Sequence, residues 1–235
     1  MGDAIGQVLA PAVGVAISPL ALIAVILMLA TPRGPVNGTA FTVGWVVALA
    51  ALTTLVVVAG SELDTGGPRP TWSWWVKLAV GVLFLLIGAR QWRGRPREGH
   101  VIAPPAWMRA VDRFTPARAA GLATMLVAAN PKNLLLTVAG GVSIATSDAS
   151  PAGKTAAAVL MVLVGSLCTL VPLGVHLLGS GSGSAGSGAG AGSDSAKLLG
   201  EWKAWMSTHN SAIVTVLLVV LGATYVGDAL SGLSG

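Results

Sequence analysis

Two short polar sequences interrupt long apolar stretches, and they carry the side chains best suited to hold a ligand. In each, a small polar residue precedes a proline, and the second also places a lysine between two asparagines. An ammonium group binds anions, and amides form hydrogen bonds with sugar or phosphate oxygens. The predicted substrate-binding residues are Ser18, Pro19, Asn130, Pro131, Lys132 and Asn133.

Lys132 is the most informative of these residues because it lies within an apolar stretch. A cation inside a membrane span costs about 3 kcal/mol on insertion scales. We therefore expect Lys132 to face the bundle interior or a wet cavity, or to reach the interface through its long stem. Asp3 and Asp228 are candidate counter-charges, although their positions near the ends of the first and last spans favour plain solvated chain ends.

The composition indicates the setting in which these residues act. The chain has 235 residues, of which 54% are hydrophobic and only 10% charged. Soluble domains carry roughly 25% charged residues, so the composition excludes an ordinary soluble enzyme and a disordered chain. The single cysteine, Cys168, excludes a disulfide scaffold. The net charge of +5 resides mostly in loops, which is typical of membrane topology and not of nucleic-acid binding.

Six apolar stretches approach or exceed the roughly 20 residues that cross a bilayer as a helix. They cover 4–30, 38–60, 75–89, 119–145, 155–178 and 212–230. Tryptophans at both ends extend the short third stretch into the interfaces. The first stretch is predicted to be an uncleaved membrane helix.

Matched prolines divide these spans into two groups. Pro19 interrupts the first span and Pro131 the fourth, and Pro35 and Pro151 follow them at similar separations. Each group has three spans, an odd number, so the groups enter the membrane in opposite orientations. The predicted fold is an all-α integral membrane protein with six transmembrane helices in two inverted three-helix repeats, the first and fourth helices being broken. Such breaks indicate a midplane binding site at the repeat interface, although paired kinks that only improve packing remain an alternative.

The predicted domains follow from this division. Residues 1–92 form the first repeat, 93–117 a cytoplasmic linker with an amphipathic helix, and 118–235 the second repeat. The second repeat contains a flexible Gly/Ser tract at 180–195, either native or inserted, to which we assign no function.

Loop charges predict the orientation in a plasma membrane. Three basic residues, Arg69, Lys77 and Lys154, belong to one side. Ten belong to the other: Arg33, Arg90, Arg93, Arg95, Arg97, Arg109, Arg113, Arg118, Lys197 and Lys203. Because positive loops remain in the cytoplasm, both termini are predicted to be extracytoplasmic.

The sequence contains no motif that indicates catalysis. It lacks a phosphate-binding glycine loop, a metal-binding histidine pair and a credible nucleophile–base pair. We therefore expect no enzymatic activity, no cofactor and no metal. Gly81 and Gly88 in the third span are compatible with a homodimer and equally with packing inside the chain.

The sequences of residues 107–116 and 128–134 resemble those of the GAP family of actinobacteria. Asn130-Pro131-Lys132 lies at the centre of the second segment. These are the glycopeptidolipid- and sulfolipid-addressing proteins, small six-span relatives of the LysE exporter superfamily. The resemblance extends to Ile17-Ser18-Pro19-Leu20 and to 38–45, but not to the Gly/Ser tract. It implies a plasma-membrane protein that delivers envelope glycolipids outward.

Three functions follow as hypotheses. The first is a flippase-like exporter of envelope (glyco)lipids that holds the headgroup at the two breaks. The second is a non-transporting scaffold for a larger lipid exporter, which would depend on Arg109, Arg113, Trp202 and Trp205. The third is a LysE-like exporter of small solutes such as amino acids.

Overall fold

The described part of the molecule is built from helices. A computed structural model describes residues 2–62, 71–93, 113–181, 201, 212, 215–216 and 218–234, and no strand occurs among them. The helices are α1 (Gly2–Ala16), α2 (Pro19–Leu29), α3 (Gly34–Glu62), α4 (Thr71–Arg93), α5 (Pro116–Ala128), α6 (Pro131–Ala145), α7 (Pro151–Gly165), α8 (Leu167–Gly181) and α9 (Leu218–Ser234). The amphipathic part of the predicted linker and the Gly/Ser tract lie almost wholly outside the described residues, as do Arg109, Trp202 and Trp205.

Apolar helices of membrane-spanning length confirm the membrane protein class. Within the described ranges, α3 is by itself long and apolar enough to cross a bilayer. Three bent helix pairs, α1–α2, α5–α6 and α7–α8, each reach that length if the pair forms one span. The predicted third span lies within α4 and the sixth overlaps the shorter apolar helix α9, and for these two the prediction of a span stays a prediction.

The first and fourth predicted spans are broken at the expected prolines. The helix axes bend by 50° between α1 and α2 and by 66° between α5 and α6. Ser18 and Asn130 adopt extended backbone conformations, and the prolines that follow begin the next helices. A proline disfavours helical geometry in the residue before it but is well suited to the first helical position. Each break therefore follows from local chemistry.

A third break was not predicted. We expected one continuous span over 155–178, but the chain bends by 58° between α7 and α8 at Ser166. Pro172 lies inside α8 and is not the break point. The bend occurs at the pair Gly165-Ser166, and Gly/Ser pairs are among the common causes of sharp helix kinks.

The straight helix α3 lies at the centre of the described bundle. It contacts α2, α5, α6, α7 and α8. Its inward side buries Phe41, Trp45 and Leu49, and the two aromatic rings stack with centroids 6.4 Å apart. Its outward side exposes apolar residues such as Val47 and Leu55. A helix that is apolar on both sides is expected where the solvent is lipid.

Helices α4 and α9 pack closely against one another through glycines. A side chain at Gly81 would meet Val226 and the Gly222 carbonyl at 2.9–3.0 Å. Phe84 and Tyr225 form an edge-to-face pair beside this contact, with centroids 5.9 Å apart. Gly81 and Gly88 are thus both used for packing within the chain.

One hydrogen bond fixes which loops share an end of the bundle. The Asn37 side-chain amide donates to the Phe114 carbonyl at 3.0 Å, which joins the start of α3 to the segment before α5. Arg33 and Arg113 therefore lie at the same end of the bundle, as the predicted distribution of basic loops requires.

Candidate functional site

The two proline breaks meet at one cavity of about 260 Å³. Five of the six predicted site residues line it, namely Ser18, Pro19, Asn130, Pro131 and Lys132, together with Leu20. The opposite wall consists of Ile87 and Gln91 from α4 and Leu218 from α9. The cavity therefore lies between the broken helices and the α4–α9 pair.

Lys132 joins the two breaks directly. Its ammonium group donates to the carbonyls of Gly14 at 2.9 Å and Ile17 at 2.5 Å, both at the carboxyl end of α1. Carbonyls at a helix end lack intrahelical donors, and in a membrane they need a partner from the protein. The negative end of the helix dipole adds to this attraction. The side chain is half-buried and does not point into lipid or bulk solvent.

The ammonium group retains capacity for a ligand. It has three N–H donors, and two of them are engaged by the α1 carbonyls. Among the described side chains, no carboxylate forms an ion pair with Lys132. An anion that enters the cavity therefore meets a cation whose charge is balanced only by carbonyl dipoles.

The two asparagines have different positions. The Asn130 side chain accepts a hydrogen bond from the Lys132 backbone N–H at 3.1 Å and so caps α6 at the cavity wall. Asn133 is fully buried behind that wall and does not line the cavity. Its amide donates to the Leu126 carbonyl at 2.9 Å and to the Ser18 hydroxyl at 3.4 Å. Asn133 thus connects the α5–α6 break to the α1–α2 break, and its predicted contact with substrate stays a prediction.

The amino ends of α2 and α6 both begin at the cavity. Pro19 and Pro131 are the first residues of these helices and lack N–H groups. Ser18 makes no side-chain cap for α2, so the first N–H groups of that helix are left for water or a ligand. Two helix amino ends carry partial positive charge toward the same space and favour an anionic group there.

Gln91 is the cavity residue that the sequence analysis missed. It lines the cavity together with Ile87 of the same helix and Leu218 of α9. A signal was present in the sequence, because Gly81, Phe84 and Gly88 form the buried stripe of α4 and Gln91 continues it at helical spacing. A polar residue on a buried stripe of a membrane helix is a candidate for function.

The arrangement provides binding groups. In the described part of the chain, no group of three or more His, Cys, Asp or Glu side chains lies together to hold a metal ion. What the cavity contains is one ammonium, two amides, a hydroxyl and two helix amino ends. These groups can hold an anion or a hydroxyl-bearing group.

Comparison with known proteins gives one match. A family model described as Sap, sulfolipid-1-addressing protein, matches residues 8–231. This range includes both proline breaks and every residue of the cavity wall. The chain matches no curated protein and no solved structure.

Proposed function

This chain belongs to the sulfolipid-1-addressing protein family, and we propose that it carries anionic envelope lipids across the plasma membrane. The family indicates a role in lipid export or localisation. The proposal goes further in making the chain itself the carrier, with the lipid headgroup held in the cavity between the two breaks.

The single observation that supports this proposal is the convergence of positive groups at the cavity. Lys132 and the first residues of α2 and α6, Pro19 and Pro131, all line it. Broken helices whose amino ends point at an anionic substrate are the arrangement that many secondary transporters use. Keeping these groups inside a membrane is costly, which favours a role in binding over simple packing.

The size of the cavity suggests which part of a lipid it takes. Its volume of about 260 Å³ lies just below the roughly 300–1,000 Å³ of typical ligand sites. A headgroup fits this space and a whole lipid does not. The acyl chains would therefore stay in the bilayer while the headgroup crosses through the protein.

An inverted repeat is part of the same proposal. If α1–α4 and α5–α9 are equivalent halves, the contact between α1 and α7 is equivalent to the contact between α5 and α3. The contact between α2 and α8 is likewise equivalent to the contact between α6 and α3. All four contacts are present. Two halves that are related in this way can rock against each other around a fixed site and expose it to one side at a time.

Lys132 would exchange partners during this cycle. With the cavity empty, the ammonium stabilises the carbonyls of Gly14 and Ile17. A bound anion would attract the same cation through charge-assisted hydrogen bonds, which are about twice as strong as neutral ones. The substrate would thereby loosen the contact between α1 and α6 that holds the two breaks together.

The test is the substitution Lys132→Met in purified full-length protein reconstituted into vesicles. The vesicles contain phosphatidylglycerol with a fluorescent acyl chain, and dithionite outside them bleaches the label that reaches the outer leaflet. Wild-type protein should expose the inner-leaflet pool. Lys132→Met should slow the arrival of labelled lipid at the outer leaflet roughly 10-fold to 100-fold. This factor corresponds to the loss of a charged hydrogen bond worth about 1.5–3 kcal/mol.

Lys154 provides a matched control for this experiment. Its ammonium also donates to a carbonyl at a helix end, that of Ala145 at 2.6 Å, but it does not line the cavity. Lys154→Met should therefore leave lipid movement near the wild-type rate. Asn130→Ala, which removes the α6 cap and one cavity amide, should impair movement without loss of the purified protein. Equal rates for wild type and Lys132→Met would overturn the carrier proposal.

A small-solute exporter is the second candidate, and the size of the cavity is the observation that favours it, because a free amino acid would also fit. Efflux of amino acids from loaded vesicles separates this candidate from the lipid carrier. The scaffold hypothesis requires neither activity. It is tested by co-purification of a larger exporter and by substitution of Arg113, the described member of its predicted surface.

A further inference from the structure

The wall of the cavity opposite the breaks carries one polar side chain, that of Gln91. The other two lining residues on that side, Ile87 and Leu218, are apolar. The Gln91 side chain is half-buried, and it forms no hydrogen bond with another residue in the described ranges. The space in front of Gln91 is the cavity itself.

In the described part of the chain, α4 packs against α9 through residues other than Gln91. The close contact is at Gly81, where an added side chain would lie 2.9–3.0 Å from Val226 and the Gly222 carbonyl, whereas one at Gly88 would make ordinary contacts of 3.4 Å or more. The aromatic pair of Phe84 and Tyr225 completes this contact. Gln91 lies one turn beyond Gly88 and lines the cavity.

The chemistry of the two walls differs. The break wall offers positive charge, through Lys132 and two helix amino ends. Gln91 offers a neutral amide, which both donates and accepts hydrogen bonds. A hydroxyl group is the complementary partner, because it also donates and accepts. A ligand that satisfies both walls therefore carries an anionic group and, beside it, one or more hydroxyls.

We propose that Gln91 is a specificity-determining residue that hydrogen-bonds a hydroxyl of the headgroup whose anionic group is held at the Lys132 wall. This inference rests on the proposed function, since it assigns a second contact to the same headgroup. It predicts that the protein distinguishes anionic lipids of equal charge by the hydroxyls on their headgroups.

Two probe lipids isolate this contact. Dioleoyl phosphatidylglycerol and dioleoyl phosphatidylpropanol share their acyl chains, their single negative charge and a three-carbon headgroup, and differ in two hydroxyls. Each is titrated into the purified full chain in detergent, and bound lipid is counted by native mass spectrometry. Wild-type protein should bind phosphatidylglycerol roughly threefold to tenfold more tightly, the value of one neutral hydrogen bond.

Substitutions then assign the preference to a residue. Gln91→Met keeps the length of the side chain and removes the amide, so it should abolish the preference for phosphatidylglycerol over phosphatidylpropanol. Lys132→Met should weaken binding of both lipids by a similar factor. Gln7, the other glutamine of the chain, is exposed on α1, and Gln7→Met should preserve the preference.

The outcomes separate this inference from the proposed function. Binding of both lipids with equal affinity by wild-type protein would overturn the role of Gln91 and leave the carrier proposal standing. A preference for phosphatidylglycerol that persists in Gln91→Met would also overturn the role of Gln91 and leave the carrier proposal standing. Failure of wild-type protein to bind either lipid would overturn both. Should Gln91→Met not yield folded protein, Gln91→Glu serves in its place, and its added negative charge should weaken binding of both anionic lipids.

Discussion

Individual side chains satisfy the backbone groups that the helix breaks release. At the α1–α2 break Lys132 donates to Gly14 and Ile17, and at the α5–α6 break Asn133 donates to Leu126. At the α7–α8 break the indole of Trp45 donates to the Gly165 carbonyl at 3.3 Å. Each of these donors belongs to a different helix from the carbonyl that it satisfies. Irregular backbone at membrane depth requires such partners.

Asn133 provides the residue-scale prediction. Asn133→Leu keeps a similar volume but removes the donor to the buried Leu126 carbonyl, so it should destabilise the protein by about 1–3 kcal/mol. The measurement is thermal unfolding of the purified protein in detergent. Thr124→Val is the control, because that hydroxyl is exposed and bonds Ala120 of its own helix. Equal unfolding temperatures for the two variants would contradict the assigned role of Asn133.

At the scale of elements, the bundle combines broken and continuous helices. The broken pairs α1–α2 and α5–α6 bring polar backbone to the cavity, while the continuous helix α3 supports them from the centre. The pair α4–α9 closes the other side of the cavity. Its position depends on close contact at glycines and on α9, where Tyr225 donates to the Ala139 carbonyl of α6 at 2.8 Å.

The α4–α9 contact gives the element-scale prediction. A methyl group at Gly81 would lie within about 3 Å of Val226 and the Gly222 carbonyl, so Gly81→Ala should force the helices apart. Overpacking of this kind costs typically about 1–3 kcal/mol. Because α4 and α9 form one wall of the cavity, lipid binding should weaken as well.

The same helix pair offers the control. An added methyl group at Gly227 on α9 would meet no atom within 4 Å, so Gly227→Ala should leave both stability and lipid binding near wild type. Thermal unfolding and native mass spectrometry report the two properties. A Gly81→Ala protein as stable as Gly227→Ala would show that the close contact does not position α4.

At the scale of the whole molecule, the structure places two arginines of different loops at one end of the bundle. Arg33 and Arg113 lie at one end, joined there through the Asn37–Phe114 hydrogen bond. The loop between α6 and α7 carries Asp148, and α7 begins after it with Pro151. The bias of basic residues predicts that the arginine end faces the cytoplasm.

Cysteine labelling tests this orientation. Arg33→Cys and Ala152→Cys each add an exposed thiol, and the native Cys168 is buried and gives little background. A membrane-impermeant maleimide added to intact cells should label Ala152→Cys and not Arg33→Cys. After lysis both should react. The reverse pattern in intact cells would invert the predicted topology.

The sequence alone determined the features that depend on local chemistry. The membrane class follows from composition, since the proportion of apolar residues cannot be accommodated in water. The breaks at Pro19 and Pro131 follow from the missing N–H of proline and from its effect on the preceding residue. Five of the six predicted site residues belong to these two breaks, and the structure places these five in the wall of one cavity.

Only the tertiary structure decided which groups face one another. It gave Lys132 the carbonyls at the end of α1 as partners, placed Asn133 behind the cavity wall and brought Gln91 to the site. Each of these outcomes depends on a contact between residues far apart in the chain. Helical periodicity shows that Gly81, Phe84, Gly88 and Gln91 share one side of α4, but it contains no information on which helix packs there. The helix that covers a given side is fixed by the packing of the whole bundle.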